Sequence, residues 1–285
     1  MSWTNYHSHS HFCDRTASLE QYATQARAEG LRAYGFSSHA PVPFPCAWCM
    51  KKERLAAYLA EIQQLKDRCR GIIQLYAGLE IDYIPGVVGP NDPLFAALDY
   101  RIGSVHLVEA FSDGQPWEID GPHGLFVKGL KEIFAGDVTR VVHQYFALTR
   151  QMLQEACPDV VGHLDKIKMQ NEAGTLFSES ADWYQREVIE TLEVIASAGV
   201  IVEVNTHGIY KKKAIETYPS RWVLERMHTM GIPITLSSDA HHPEEITRGF
   251  SNAARTLKEI GFQHLHVLLD GRWQAVGFGA NGLLA

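Results

Sequence analysis

The chain has 285 residues, of which 46% are hydrophobic and 21% are charged, and it carries a formal net charge of −7. This length and composition favour a single domain that spans residues 1–285. The negative charge predicts that the protein does not bind nucleic acid, and the lack of a transmembrane-length apolar run predicts that it does not bind a membrane. Five cysteines, an odd number, and a start without signal-peptide features predict reduced thiols and a cytoplasmic location.

Hydrophobic periodicity and turn residues divide the chain into alternating strands and helices. The expected strands cover residues 3–6, 31–36, 72–79, 100–105, 159–162, 200–204 and 232–236, with a closing strand and tail over 267–278. The expected helices cover residues 18–30, 51–70, 91–98, a stretch up to 156, 178–198, 219–230 and 244–260. Residues 107–124 are expected to form a long loop. About seven successive βα units predict a parallel sheet.

Polar residues that suit metal or substrate binding recur just past the C-terminal ends of these strands. They are His7, His39, Glu80, His106, His163, Asn205 and Asp239. In a barrel these strand ends share one rim, where active sites of this architecture are built. A doubly wound sheet gathers its ligands mainly at one crevice, so contributions from seven strands favour a closed α/β barrel.

The start of the chain contains the densest group of potential metal ligands. His7 and His9 alternate along an extended segment, so their side chains leave the same face, and Asp14 follows within a short loop. Histidine nitrogen and carboxylate oxygen together suit zinc, iron or manganese. The rim offers more ligands than one ion needs, and Glu80 can bridge a pair. Two or three divalent ions would activate water and bind phosphoryl oxygens, so a small phosphate ester is the expected partner.

Several short segments, read in chain order, resemble a known family. These are His7-x-His9 with Asp14, Ser38-His39-Ala40-Pro41, Gly78-Leu79-Glu80, Gly103-Ser104-Val105-His106, Gly162-His163-Leu164-Asp165, Glu203-Val204-Asn205-Thr206 and Ser238-Asp239-Ala240-His241. Together they resemble the polymerase and histidinol phosphatase (PHP) family, and within it the monofunctional histidinol-phosphate phosphatases. The resemblance implies a distorted (β/α)7 TIM-like barrel with a trinuclear metal centre.

The resemblance also implies a role for each rim residue. The implied ligand sets are His7, His9, Glu80 and Asp239 for one ion, Glu80, His106 and His163 for a second, and Asp14, His39 and His241 for a third. The implied catalytic residues are Glu80, His163 and Asp239. The implied reaction is hydrolysis of L-histidinol phosphate to L-histidinol and phosphate in histidine biosynthesis, by in-line attack of a metal-bound hydroxide on phosphorus.

Substrate contacts are expected from polar residues that follow the rim strands. Lys168 and Lys211 are candidates for binding phosphate, or else they are solvated loop charges. Asn205 is expected to bind substrate, although it can equally end its strand through an Asx turn. Four acidic residues of the long loop either meet the amine and imidazole of the substrate or only keep the loop soluble: Glu109, Asp113, Glu118 and Asp120.

Three other interpretations remain open at this point. The same centre can serve another small phosphate ester or a nucleotide, the barrel can bind a ligand without turning it over, or it can act as a carbon–nitrogen amidohydrolase. That last class often uses a bridging lysine, and no lysine sits directly at a predicted strand end. Cys46 and Cys49 form a lone Cys-x-x-Cys pair, for which a metal or redox role is the less favoured interpretation.

Overall fold

The computed structural model describes residues 2–171 and 174–284. Its strands are β1 (Thr4–Asn5), β2 (Ala33–Phe36), β3 (Gln74–Asp82), β4 (Tyr100–Ser104), β5 (Leu107–Ala110), β6 (Pro116–Glu118), β7 (Val160–Val161), β8 (Ile201–Asn205), β9 (Ile234–Ser237), β10 (His264–Leu269), β11 (Arg272–Gly279) and β12 (Gly282–Leu283). Its α-helices are α1 (Leu19–Ala28), α2 (Leu55–Arg68), α3 (His123–Glu132), α4 (Val138–Glu155), α5 (Asp182–Ala198), α6 (His207–Tyr210), α7 (Arg221–Thr229) and α8 (Phe250–Ile260).

A parallel sheet of seven strands forms the centre of the protein, in the order β1-β2-β3-β4-β7-β8-β9. Every pairing between neighbours in this sheet is parallel, as the succession of βα units predicts. Just past β1 and β9, a parallel bridge joins Ser8 to Ala240, and the His9 amide donates to the Ala240 carbonyl at 2.8 Å. The sheet therefore curves back on itself, and the predicted distorted α/β barrel is confirmed.

Strand β3 shows how the barrel wall separates core from cavity. Its residues at positions 75, 77, 79 and 81 join the hydrophobic cluster formed with α1 and α2. Because side chains alternate along a strand, the residues between them face the barrel interior. At Gly78 a Cβ would lie 2.3 Å from the ring of Tyr100, so only glycine leaves room for that ring. Glu80, the next interior residue, lines the cavity at the C-terminal end of the strands.

Aromatic side chains and the antiparallel sheet β10-β11-β12 close the other end of the barrel. The Tyr6 hydroxyl donates to the Leu268 carbonyl and accepts from the Leu268 amide, both at 2.9 Å. The rings of Tyr6 and Trp273 meet edge to face with centroids 5.2 Å apart. The Tyr100 hydroxyl lies 2.6 Å from the Tyr6 carbonyl and 3.0 Å from the Phe36 carbonyl. This end is therefore packed, and the cavity lies at the opposite end.

Two segments contain more regular structure than expected. The prediction of a long loop over residues 107–124 is wrong, because β5 and β6 pair as a hairpin there and α3 begins at His123. The closing strand and tail over 267–278 are a three-stranded sheet that begins at His264. Short antiparallel pairs depend on partners across a turn, and the periodicity of a single strand does not reveal them.

Several predicted helices are shorter than their hydrophobic patterns. Residues 91–98 contain only the 3₁₀ turn Pro93–Phe95, and α5 begins at Asp182 rather than at Ser178. In the segment over 244–260, Gly249 has a φ of 82°, a left-handed conformation, so α8 begins only at Phe250. By contrast, Ser18, where the first predicted helix starts, caps α1 with a reciprocal capping box to Gln21.

Candidate metal centre

Glu80 lies at the centre of the predicted rim and is 1% exposed. Its Oε1 atom is 2.8 Å from His163 Nε2 and 3.5 Å from His106 Nε2. Its Oε2 atom is 3.1 Å from His39 Nδ1 and 3.3 Å from His7 Nε2. The two oxygens of one carboxylate thus face two separate groups of imidazoles. This is the geometry that a carboxylate needs to lie between two cations.

The group on the Oε2 side comes from the segments that follow β1 and β9. His9 Nε2 lies 2.9 Å from Asp239 Oδ1, and His7 Nε2 lies 3.7 Å from the same oxygen. His7, His9 and Asp239 each offer one ligand atom within 4.8 Å of the others. Glu203, on β8, holds the far side of the His7 ring, with Oε1 and Oε2 at 3.0 and 2.9 Å from Nδ1. The Nε2 atom of His7 is therefore directed into the cavity.

The group on the Oε1 side contains Glu80, His106 and His163, again within 4.8 Å of one another. The Nε2 atoms of His106 and His163 lie only 3.2 Å apart. Asp82 Oδ1 accepts from the His106 amide at 2.9 Å and lies 3.0 Å from His106 Nδ1. Asp82 therefore orients this imidazole in the same way that Glu203 orients the imidazole of His7.

Asp239 has an unusual backbone conformation, with a φ of 52°. Aspartate tolerates this left-handed region better than most residues, and such outliers concentrate at functional sites. The turn presents the Asp239 carbonyl to two histidines, with His241 Nδ1 at 2.7 Å and His207 Nδ1 at 2.8 Å. The carboxylate of the same residue faces His9. One strained residue therefore positions three imidazoles.

The three residues expected for a third ion lie around His9 but apart from one another. Asp14 groups with His9 and Cys13, His39 with His9 and Glu80, and His241 with Asp239 and His207. Within residues 2–171 and 174–284, Asp14, His39 and His241 do not form one ligand group within 4.8 Å. All three still line the same cavity.

The donor set fits divalent metal ions. The buried atoms His7 Nε2 and His39 Nδ1 have no hydrogen-bond partner in the described part of the chain. Burial, reinforced by Lys166, lowers the pKa of His163 to about 3. Burial and the nearby His39 lower the pKa of His9 to about 4. The imidazoles of His163 and His9 are therefore neutral at pH 7, which is the form that binds metal. An ion in the cavity would also give the open ring nitrogens of His7 and His39 a partner.

The His106 ring shows the opposite electrostatic balance. Burial disfavours its charged form, but the carboxylates of Asp82 and Glu80 outweigh burial and raise the pKa of His106 to about 9. Burial also opposes ionisation of Glu80, yet His7 and His106 hold the pKa of that carboxyl well below its usual range. A buried carboxylate that stays ionised attracts cations strongly, which is consistent with a metal centre.

Lys166 is the buried lysine that lines the cavity. Its Nζ atom lies 3.0 Å from Asp120 Oδ2, and this carboxylate lies 4.0 Å from His106 Nε2. Burial would lower the pKa of the Lys166 ammonium, but Asp120 and Asp239 raise it above its usual value. Hydrophobic periodicity does not distinguish Lys166 from Lys168, and the position of Lys166 soon after β7 is its local signal in the sequence.

The lysines expected from the sequence to bind substrate have other partners. Lys168 Nζ lies 2.8 Å from Asp165 Oδ2 and 2.6 Å from Ser220 Oγ. Lys211 pairs with Glu245 at the end of α6. Neither residue is part of the cavity wall, so substrate contact by Lys168 or Lys211 stays a prediction that their positions do not favour.

Asn205 is buried at the end of β8, where its side chain contacts carboxylates of the candidate metal centre. Its Nδ2 atom donates to Glu203 Oε1 at 2.5 Å and to Asp239 Oδ2 at 3.3 Å. Its Oδ1 atom accepts from the His207 amide at 2.8 Å, as an Asx turn would. The side chain therefore orients two carboxylates and ends the strand at the same time.

The loop after β2 covers one side of the cavity. The expectation of reduced thiols is wrong for Cys46 and Cys49, which form a disulfide because the turn brings their Cα atoms within 5.4 Å. Trp48 lies between them, with its ring 4.6 Å from the His39 ring. The Trp48 indole donates to Glu118 Oε1 at 2.8 Å. Together the rim side chains enclose a cavity of about 200 Å³.

The PHP domain family profile matches residues 5–207, which is most of the chain. This protein belongs to the PHP domain family. Among its relatives, a "Probable histidinol-phosphatase" of Deinococcus radiodurans is 31% identical over 260 residues, which cover 90% of this chain and 92% of that protein. The "Histidinol-phosphatase" of Bacillus subtilis is 28% identical over 84% of this chain and 94% of its own.

Solved structures show the same PHP-domain fold. A histidinol phosphate phosphatase of Lactococcus lactis, complexed with zinc, L-histidinol and phosphate, superposes with a TM-score of 0.69 at 22% identity, covering 100% of this chain and 99% of that one. A Listeria monocytogenes protein superposes with a TM-score of 0.75 at 20% identity, covering 87% and 99% of the two chains. In the part of this PHP-domain protein that the structure describes, every helix is too short or too polar to cross a lipid bilayer.

Proposed function

We propose that the protein is a metal-dependent phosphatase that hydrolyses L-histidinol phosphate to L-histidinol and phosphate, a step of histidine biosynthesis. The observation that carries this proposal is the two-sided environment of Glu80, whose oxygens face different imidazole groups at 2.8 and 3.1 Å. The choice of substrate follows from the relatives of Deinococcus radiodurans and Bacillus subtilis, which are described as histidinol-phosphatases. The Lactococcus lactis protein adds that a barrel of this fold binds zinc, L-histidinol and phosphate together.

This set of nitrogen and oxygen donors suits two to three divalent ions as cofactors, with zinc, iron and manganese as the candidates. We assign His7, His9, Glu80 and Asp239 to one ion, and Glu80, His106 and His163 to the next. Asp14, His39 and His241 are the side chains left for a third ion. Bound ions of this kind lower the pKa of water, neutralise phosphoryl oxygens and stabilise the leaving oxygen.

The chain's own residues would prepare the centre for a phosphate dianion. Glu203 and Asp82 fix the rings of His7 and His106, so the ligand nitrogens need no rearrangement when substrate enters. Lys166 supplies a fixed cation on the cavity wall, and its pairing with Asp120 keeps the ammonium in one position. Trp48 shields the centre from bulk water on the side of His39.

The proposal predicts phosphate release that depends on metal. The protein as purified should hydrolyse L-histidinol phosphate, lose this activity after complete chelation, and regain it on addition of zinc, manganese or iron. Asp239→Asn should abolish turnover, whereas Asp67→Asn, a matched change on the exposed face of α2, should leave it unchanged. Full activity after verified metal removal would contradict the mechanism.

A substrate panel under identical metal conditions tests the specificity. L-Histidinol phosphate should exceed nucleoside monophosphates and simple sugar phosphates in kcat/KM by orders of magnitude. If a nucleotide or another ester is preferred instead, the metal centre stands and the substrate assignment fails. A cytoplasmic location and the lack of a nucleic-acid partner stay predictions from the sequence. The first rests on the cysteines and the start of the chain, and the second rests on the net charge of −7.

A further inference from the structure

Two loops that are far apart in the sequence meet over the cavity. Trp48 follows β2, Glu118 ends β6, and the indole N–H of Trp48 donates to Glu118 Oε1 at 2.8 Å across a separation of 70 residues. Both residues line the cavity that contains Glu80 and His106. The hydrogen bond fixes the plane of the indole and the direction of the carboxylate at the same time.

Each half of this bridge is tied to the backbone of a rim histidine. The amide of Met50, next to the disulfide turn, donates to the His39 carbonyl at 3.1 Å. The amide of Ile119, next to Glu118, donates to the His106 carbonyl at 2.9 Å. These backbone hydrogen bonds therefore fix the positions of Trp48 and Glu118 relative to His39 and His106.

Glu118 differs in its charge pairing from the other carboxylates of the cavity wall that lie outside the two main ligand groups. Asp120 faces Lys166 Nζ at 3.0 Å, and Asp14 faces Arg15 at 2.7 Å. Within residues 2–171 and 174–284, Glu118 has no ion-pair partner, and its Oε1 contact is a neutral indole. A carboxylate keeps acceptor capacity beyond one hydrogen bond. Glu118 is therefore a negative charge that a ligand can neutralise.

The same two residues separate two spaces of different size. On one side lies the cavity of about 200 Å³ that contains the rim ligands. On the other side lies a groove of about 860 Å³, which Trp48 and Glu118 also line. The lysines of the small cavity, Lys166 and Lys213, follow β7 and β8 and suit the phosphate. The leaving alcohol would then extend towards the hydrogen-bonded pair Trp48 and Glu118 and towards the groove behind it.

We propose that Trp48 and Glu118 determine specificity by selecting a leaving alcohol that carries a positive charge. The inference rests on the proposed function, because L-histidinol contains an ammonium group and an imidazole. The Glu118 carboxylate accepts a charge-assisted hydrogen bond from the ammonium, and the face of Trp48 packs against the cationic end of the molecule. Esters with neutral alcohols lose both interactions and are bound more weakly.

The test compares L-histidinol phosphate with its N-acetyl derivative, in which the ammonium group is neutral. Glu118→Gln preserves the size of the side chain and an acceptor for Trp48 but removes the charge. We expect kcat/KM for L-histidinol phosphate to fall about 10- to 100-fold, mostly through KM. For the N-acetyl ester it should change by less than about threefold. Trp48→Phe, which keeps an aromatic face, should lower the preference for the charged ester by a smaller factor.

Glu109→Gln is the matched control, because Glu109 is an exposed glutamate on the same hairpin and lies outside this cavity wall. It should leave both substrates unaffected. Equal losses on the charged and neutral esters in Glu118→Gln would show a structural role and overturn the inference, as would an unchanged preference. If the wild-type protein hydrolyses p-nitrophenyl phosphate but not L-histidinol phosphate, the proposed function fails instead, and the two failures are distinguishable.

Discussion

The two ends of the barrel interior differ in their side chains: one end is aromatic, and the other is polar and charged. At the closed end, Tyr6, Tyr100 and Trp273 pack with ring centroids 5.2 to 6.2 Å apart. At the open end, imidazoles and carboxylates surround Glu80. On β3 the change takes place within two residues, from Gly78, which admits the Tyr100 ring, to Glu80. The barrel thus separates the part that stabilises the fold from the part that performs chemistry.

This difference has a physical cause with measurable consequences. Burying aromatic area stabilises the folded state, at roughly 25 cal/mol per Å² of apolar surface. Gathering ionised carboxylates in a buried site costs desolvation energy unless cations compensate it. Substitutions at the closed end should therefore change stability and leave turnover intact. Substitutions of the proposed metal ligands at the open end should change turnover far more than stability.

The largest effect is expected for Glu80→Gln. Loss of the charge that faces both imidazole groups should lower kcat by about 10³-fold or more, since a metal centre supplies several kcal/mol to the transition state. The metal-free variant should melt below the metal-free wild type, because the low pKa of Glu80 means that its charge stabilises the metal-free fold at pH 7. Steady-state kinetics and thermal unfolding measure the two halves of the comparison. A kcat within tenfold of wild type would contradict the role of Glu80.

A pair of lysine variants tests which cation serves the phosphate. Lys166→Met and Lys168→Met each remove one partner of a buried ion pair, with Asp120 and Asp165 respectively. Both should destabilise the fold, by about 3 kcal/mol. Only Lys166→Met should also lower kcat/KM per folded molecule, by about 10²-fold, because only Lys166 lines the cavity. A selective loss in Lys168→Met would instead support the lysine expected from the sequence.

A smaller effect is expected for Glu203→Gln. The variant weakens the contact that orients His7 but leaves every proposed ligand in place. Metal affinity should fall about tenfold or more, as is typical when the partner of a ligating histidine is removed. Turnover should recover when metal is added in excess. Competition with a chromogenic chelator measures the affinity, and an unchanged dissociation constant would remove Glu203 from the centre.

The smallest effect is expected at the closed end. Tyr100→Phe removes the hydroxyl that contacts the Tyr6 and Phe36 carbonyls and should cost about 1–2 kcal/mol of unfolding free energy, with kcat/KM unchanged. Tyr184→Phe is the matched control. The Tyr184 hydroxyl is buried and has no hydrogen-bond partner among the described residues, so its removal should be neutral or stabilising. Denaturant titration compares both variants with wild type.

The sequence was sufficient to predict the barrel and the convergence of the rim residues, because strand periodicity and the position of polar residues after each strand are local features. The partners of those residues were not predictable. Glu203 reaches His7 across 196 positions, and the Trp48–Glu118 contact spans 70. Such pairs depend on rotamers and barrel register, which periodicity does not encode. Alternation alone could have indicated Asp82, two residues after Glu80 on the same strand face.

The proposed metal centre requires two cations to share the Glu80 carboxylate. Anomalous diffraction from zinc-loaded crystals, recorded on both sides of the zinc absorption edge, measures this directly. We predict a peak bounded by His7, His9 and Asp239 next to Glu80 Oε2, and a second peak bounded by His106 and His163 next to Oε1. A single ion, or ions that do not contact Glu80, would contradict the claim.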